Sequence, residues 1–307
     1  MAKKLQCASR SFCLNPTSST THLLALPQPI RENHHDAKST SVLSLPKDKG
    51  LKVEGGLRTQ GCFKQSLPDK PLITVITVVF NGAEHLEDTI KSVIGQTYPN
   101  VEYIIIDGGS TDGTLDIIRK YKQAIDYWVS EKDKGIYEAM NKAVKLARGD
   151  WFLFLGSDDL LIDFINEIKD GLLHKQCIYY GNVILSSTGK VSGGPFNPFK
   201  LMWKNIPHQA ILYPRSVFMK YLYDVSYPLL ADYHLNLMLF RDREFRFKYI
   251  NCVFAVYNNV SGKSSTISDA KFKEDKSRII YEHYSLLYKL PYYMVKNIKS
   301  YLRKVLP

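Results

Sequence analysis

The sequence predicts an α/β fold, with a mostly parallel central sheet flanked by helices and then a smaller α+β half. Three observations predict it. Short β-branched apolar runs alternate with amphipathic stretches from residue 72 to about 155, the pattern of repeated strand–helix units. The runs are nearly apolar throughout, as in strands buried on both faces. Acidic residues recur at or just past their ends, where parallel sheets bind ligands.

Leu72–Phe80 is the first such run, broken by Asn81-Gly82. A helix follows with Leu86, Ile90, Val93 and Ile94 on one face and Glu84, Glu87 and Asp88 near its start, where the helix dipole favours acids. Val101–Asp107 is a second strand. Asp112 suits the cap of a helix carrying Leu115, Ile118 and Tyr121. Asp126–Ser130 is a third strand. Ile136, Met140, Ala143, Val144 and Ala147 mark the inward face of a helix that ends at Arg148-Gly149. Trp151–Leu155 is a fourth strand, with a helix expected from near Phe164. After about residue 175 the spacing predicts a hairpin of Cys177–Leu185 with the region around Val191, helices over Arg215–Leu222 and Ala231–Arg241, and a strand over Phe245–Tyr257.

Composition narrows the function classes. Of 307 residues, 45% are hydrophobic and 23% charged, ordinary globular usage. The longest apolar run has nine residues, Leu72–Phe80, against the roughly 20 that span a bilayer. The net charge of +11 sits in the ends. Residues 1–70 carry 11 Lys and Arg against 5 Asp and Glu, and residues 271–307 carry 9 against 3. The body, 71–270, has 21 against 22. A nucleic-acid binder concentrates basic charge on its folded face, so no nucleic-acid partner is expected. Five cysteines with no C-x-x-C and no zinc spacing argue against a disulfide framework or structural zinc, and for a reducing compartment.

The chemistry lies in the carboxylates. Asp107 ends the second strand and opens Asp107-Gly-Gly-Ser-Thr-Asp-Gly-Thr114. This is not the G-x-G-x-x-G of dinucleotide binding, and no G-x-x-x-x-G-K-[ST] occurs. A strand-end carboxylate can instead accept hydrogen bonds from a base N–H or ribose hydroxyls. Asp133 follows the third strand. Asp158 and Asp159 follow the fourth, and a divalent cation would offset the repulsion of that adjacent pair through hard oxygen ligands. All of these acids should converge on one rim.

These residues resemble the family 2 glycosyltransferases, of GT-A fold. The matching pieces are Thr77-Val-Val-Phe-Asn-Gly82, Asp107-Gly-Gly-Ser-Thr-Asp-Gly-Thr114, Asp133-Lys-Gly-Ile-Tyr-Glu-Ala-Met-Asn-Lys-Ala143 and Gly156-Ser-Asp-Asp159. The chain is most similar to the colanic-acid type that builds exopolysaccharide and O-antigen repeats. Gly55-Gly-Leu-Arg-Thr-Gln-Gly61 is similar to a lead-in of some relatives. The resemblance implies a metal-dependent, inverting transferase, moving sugar from a UDP- or GDP-sugar to a glycan or lipid-linked acceptor. It implies donor contacts at Phe80, Asn81, Asp107, Gly109, Asp133 and Asp158. Mn2+ or Mg2+ would sit at Asp159 with Asp158, and His208 is a further candidate ligand in Pro207-His-Gln-Ala210. Asp232, in Ala231-Asp-Tyr-His234, would be the catalytic base, with Asp224 in reserve. Many relatives have Asn at position 156 and Glu at 231. A nucleotidyltransferase and a non-catalytic nucleotide-sugar binder are the alternatives.

The expected organisation is a disordered or irregular extension over 1–70, a GT-A domain over 71–270 (donor half 71–175, acceptor half 176–270) and a basic helical tail over 271–307. The first 31 residues lack Asp and Glu, as transit peptides do, although an unstructured tail is the simpler reading. At the other end, Pro291 suits a helix's first turn. Val295, Ile298, Leu302 and Val305 share a face, with Lys296, Lys299, Arg303 and Lys304 beside or opposite it. Such a helix either lies on a membrane surface or docks on the domain. The expected location is cytoplasmic, peripheral on the inner face of the inner membrane.

Overall fold

The computed structural model describes residues 24–25, 52–172, 176–260 and 269–305. Twelve strands and nine helices are described. The strands are β1 (Leu24–Ala25), β2 (Val53–Gly55), β3 (Cys62–Phe63), β4 (Ile73–Val79), β5 (Val101–Asp107), β6 (Tyr127–Ser130), β7 (Trp151–Gly156), β8 (Leu160–Leu161), β9 (Cys177–Leu185), β10 (Val191–Ser192), β11 (Ile211–Pro214) and β12 (Arg246–Tyr257). The helices are α1 (Leu86–Ile94), α2 (Thr114–Lys120), α3 (Ile136–Leu146), α4 (Ile165–Ile168), α5 (Pro198–Leu201), α6 (Arg215–Lys220), α7 (Ala231–Leu239), α8 (Ala270–His283) and α9 (Leu286–Val305).

One large sheet runs in the order β2-β6-β5-β4-β7-β11-β9-β12-β8, with β10 on β9. Strands β6, β5, β4 and β7 are parallel, so Ile76 faces Ile104 on one side and Phe154 on the other. The chain builds outward from β4 through β5 to β6, then returns to place β7 on the far side of β4. That reversal is the switch point at which such sheets bind ligands. Strand β11 is antiparallel to both β7 and β9, joining the second half to the same sheet.

Alternate residues of each central strand feed two cores. Ile73, Val75 and Val79 pack with Leu86, Ile90 and Val93 of α1, whereas Ile76 and Val78 pack with Met140, Ala143 and Val144 of α3 and with Leu235 of α7. This alternation on two covered faces is why the strands read as unbroken apolar runs. Ile136 departs from its expected inward position and is 41% exposed. It opens α3 and so projects past the sheet at the rim, and Tyr137 takes the buried place.

The described part of the stretch expected as an irregular extension is bound to the sheet. Strand β2 pairs antiparallel with β6, whereas β1 and β3 form a separate two-stranded sheet. Arg58 donates to Glu102 at 2.5 Å and to the Leu146 carbonyl at 2.8 Å. Lys64 donates to Asp126 at 2.7 Å and to the Val101 carbonyl. All four charged side chains are buried. Burial opposes the charge on Glu102, but Arg58, the Arg148 N–H and Thr74 outweigh it and hold its pKa below the usual carboxylate value. The rest of residues 1–51 lies outside the described residues.

At the other end, Asp269 caps α8 by accepting from the Phe272 N–H, and Phe272, Ile279 and Ile280 enter the core. Helix α9 begins at Leu286, so Pro291 falls inside it rather than in its first turn. Its Tyr292 ring is buried 4.9 Å from the Trp203 ring, and Tyr293 donates to the Ser277 carbonyl. The helix is therefore docked along this face. The opposite face exposes Leu287, Leu290, Met294, Ile298 and Tyr301. Among the described residues no helix is long and apolar enough to cross a membrane.

Candidate active site

The loops after β4, β5, β6 and β7 meet at one rim. Phe80 is 51% exposed at the end of β4. Asn81, at φ 51°, donates its N–H to Ser110 Oγ at 2.7 Å and accepts from the Thr111 N–H at 3.0 Å. It thereby ties the first loop to the second. Asp112 accepts from Thr114 at the start of α2 and from the Ala83 N–H, a structural brace.

Asp107 does not face the cleft. It is 0% exposed, and its carboxylate accepts from the Gly109 and Ser110 N–H groups and from the Ser110 and Ser130 hydroxyls. A carboxylate offers about four acceptor sites; its own loop makes three of these bonds and Ser130 of β6 the fourth. The expected donor contact does not fit this geometry. Gly109 serves the same turn at φ 83°.

Asp133, after β6, packs against the turn that Asp107 opens. A Cβ on Gly108 would lie 2.8 Å from Asp133 Oδ2, so the carboxylate fills the space a side chain at 108 would occupy. Oδ1 accepts from the Gly135 N–H at 2.9 Å. Burial raises the Asp133 pKa, and the Gly135 N–H and Lys142 oppose the rise.

The acid pair divides in a similar way. Asp159 is 1% exposed; Oδ2 accepts from Gln209 Nε2 at 2.6 Å and the Gly156 N–H at 3.2 Å, and Oδ1 from the Asn258 N–H at 2.8 Å. Burial pushes its pKa up to about 6 against these bonds. It braces the β7 loop against two distant segments. Asp158 is half-buried, its pKa raised by burial and opposed by His85 and His208. The acid turned toward the rim is thus Asp158, whereas the expected principal cation ligand was Asp159. Gly156 makes room for both: a Cβ there would stand 2.4 Å from Asp159 Oδ2 and 3.0 Å from Asp158 Oδ1.

Asp232, in the first turn of α7, is 6% exposed. Oδ1 accepts from the Tyr137 hydroxyl at 2.8 Å and Oδ2 from Asn205 Nδ2 at 2.8 Å. His208 Nδ1 lies 3.6 Å from Oδ2. Burial opposes charge on His208, yet the carboxylates of Asp232, Asp159 and Asp158 outweigh it and raise its pKa above the ordinary histidine value. His208 therefore sits beside the Asp232 carboxylate and within the field of the acid pair. Asp224 is not part of this cluster; it accepts from the Ser226 N–H in a turn.

Sequence reasoning missed Tyr137, Asn205 and Gln209. Tyr137 lies on the buried side of an amphipathic helix and reads as core. Gln209 stood in a motif already noted, but its partner is fifty residues away.

Residues 74–191 match the family model described as Glycosyl transferase family 2. The PGL/p-HBAD biosynthesis glycosyltransferase of Mycobacterium bovis (strain BCG / Pasteur 1173P2) is 37% identical over 216 residues, covering 66% of this chain and 82% of the relative. The putative teichuronic acid biosynthesis glycosyltransferase TuaG of Bacillus subtilis (strain 168) is 43% identical over 93 residues, covering 29% of this chain and 37% of the relative. S. aureus TarS 1-349 in complex with UDP superposes with a TM-score of 0.53 at 18% identity, over 69% of this chain and 65% of that one. The mannosyltransferase PcManGT of Pyrobaculum calidifontis, in complex with GDP-Man and Mn2+, gives 0.50 at 16%, over 70% and 63%.

The fold is that of the GT-A glycosyltransferases. The chain belongs to glycosyl transferase family 2. That membership sets aside the nucleotidyltransferase and the non-catalytic binder.

Proposed function

We propose that this enzyme transfers a sugar, with inversion, from a nucleoside-diphosphate sugar to a glycan or lipid-linked acceptor in cell-surface polysaccharide synthesis. The reading is carried by the strand-end rim at the switch point, where Asp133 follows β6 and Asp158 follows β7, together with His208 Nδ1 3.6 Å from Asp232 Oδ2. The relatives named for PGL/p-HBAD and teichuronic acid biosynthesis support the setting. Neighbouring structures in complex with UDP and GDP-Man support the donor class.

The residues fit a hard divalent cation. Asp158 offers carboxylate oxygens at a rim where Gly156 leaves space, and Mn2+ and Mg2+ prefer such ligands. Among the described residues no three His, Cys, Asp or Glu side chains gather as a cation site, so water and the donor diphosphate would complete the shell. When bound, the cation would neutralise charge on the leaving diphosphate. Asp133 and the exposed Phe80 ring bind the nucleoside. Asp232 takes the proton of the acceptor hydroxyl as that oxygen bonds to the anomeric carbon and the diphosphate leaves. Tyr137 and His208 hold Asp232 in place.

A thermal-shift panel of UDP- and GDP-sugars with Mn2+ tests the donor reading, since a bound ligand raises Tm by mass action. One nucleotide series should raise Tm, and Asp133→Asn should lose most of that shift while its unliganded Tm stays near wild type. An equal shift in Asp133→Asn would remove it from the donor site.

The outward face of α9 supports peripheral membrane contact on the cytoplasmic face of the inner membrane. Its exposed stripe of Leu287, Leu290, Met294, Ile298 and Tyr301 lies opposite the docked Tyr292, and no acid follows Glu282. Anionic vesicles should therefore bind the protein in flotation, and replacing Leu287, Leu290 and Met294 together by Ser should release it without loss of transfer to a soluble acceptor. Flotation unchanged by those replacements would refute the contact.

A further inference from the structure

The hydrogen bonds behind Asp232 form a directed chain. Tyr213 Oη donates to Asn236 Oδ1 at 2.8 Å, Asn236 Nδ2 donates to Asn205 Oδ1 at 2.9 Å, and Asn205 Nδ2 donates to Asp232 Oδ2 at 2.8 Å. Tyr213 and Asn236 are fully buried, and Asn205 is partly so. Three elements contribute: β11, α7 and the segment after α5. Asn236 stands four residues beyond Asp232 on α7 and hence on the same helix face.

The direction of this chain is set from one end. An ionised carboxylate only accepts, so the amide facing it must present Nδ2. The carbonyl of Asn205 then faces Asn236, which must present its own Nδ2. That leaves Asn236 Oδ1 for the Tyr213 hydroxyl. Turning either amide over would set acceptor against acceptor in a buried site, which costs far more than on the surface. The hydroxyl at the far end finds its acceptor only in this arrangement.

We propose that Asn205 and Asn236 are positioning residues for the reaction, a one-way chain that fixes the Asp232 carboxylate toward the acceptor hydroxyl. The proposal rests on the reading of Asp232 as the base. Asn205 occupies Oδ2, with His208 Nδ1 3.6 Å from it, and Tyr137 occupies one site of Oδ1. The remaining Oδ1 lone pair is the one that receives the acceptor proton. The hydroxyl O–H bond breaks, its oxygen bonds to the anomeric carbon, and the diphosphate departs with the electron pair of the old glycosidic bond. Oδ2 remains an acceptor throughout, so the chain is unchanged by the transfer.

Two substitutions of similar size separate this role from packing. Above the pH at which the new carboxyl ionises, Asn236→Asp accepts on both sides, so Asn205 must turn its Nδ2 away from Asp232 and present a carbonyl to it. Asn236→Leu removes a partner but lets Asn205 keep its bond to Asp232. Asn236→Asp should lower kcat by about 10- to 100-fold, the scale of a misplaced catalytic group, with donor KM within about twofold. Asn236→Leu should lose several-fold less. Equal losses in the two variants, or a loss confined to KM, would overturn the proposal. If Asn236→Asp shows no nucleotide-induced thermal shift and so has not folded, Asn205→Leu decides instead. It should lose kcat with KM kept, and an unchanged kcat refutes the chain. An active Asp232→Asn would sink the base reading itself, whereas an inert Asp232→Asn beside indifferent Asn236 and Asn205 variants would sink the chain alone.

Discussion

Asp232→Asn should lose transfer by roughly 100-fold or more, the range general bases contribute, while it still folds and binds nucleotide. A sugar hydroxyl has a pKa far above neutral and is a poor nucleophile until its proton is taken. The substitution removes that proton acceptor and little else. The Tyr137 hydroxyl lies 2.8 Å from Asp232 Oδ1 and also 2.9 Å from the Leu229 carbonyl. It can donate to Leu229 and accept from the new amide, while Asn205 keeps its acceptor. The buried site therefore stays satisfied, and the loss should appear in kcat and not in Tm. Because one in-line displacement inverts the anomeric centre, NMR of the wild-type product should show the anomer opposite to the donor's. Retained configuration would overturn the single displacement, and near-normal transfer in Asp232→Asn would move the base elsewhere.

The second large effect is expected at the acid pair. EDTA should abolish transfer, and Mn2+ or Mg2+ should restore it. Asp158→Asn should remove most transfer at unchanged Tm, because its carboxylate faces the rim. Asp159→Asn should act first on the fold. Its carboxylate accepts from Gln209, the Gly156 N–H and the Asn258 N–H, and an amide has only one acceptor atom. Each donor left unsatisfied costs about 1–3 kcal/mol, so Tm should drop. Full activity in EDTA would eliminate the cation, and an Asp158→Asn enzyme as active as wild type would remove Asp158 from the site.

The strand and helix order was legible because each strand of the parallel half is buried on both faces and each early helix on one. The rim was legible for a related reason: parallel strands bring their carboxyl ends to one edge, so Asp107, Asp133 and Asp158-Asp159 had to lie along the same rim. Which carboxylate opens to the cleft was not legible. Position along the chain does not reveal that Ser110 and Ser130 consume Asp107, or that Gln209 and the Asn258 N–H consume Asp159. Tyr137 was hidden for the opposite reason, since its ring packs as core while its hydroxyl reaches Asp232. Pro291 misled because a proline one turn into a helix reads the same as one that starts it.

The recognisable family sequence begins at residue 74, but the cooperative unit begins earlier. Glu102 and Asp126 lie inside the sheet, and the cations that neutralise them, Arg58 and Lys64, come from upstream of that boundary. A chain trimmed to the alignment would leave two carboxylates buried without counter-charge, a far heavier burden than the loss of a surface strand. The minimal folding unit therefore includes a stretch that carries no part of the chemistry.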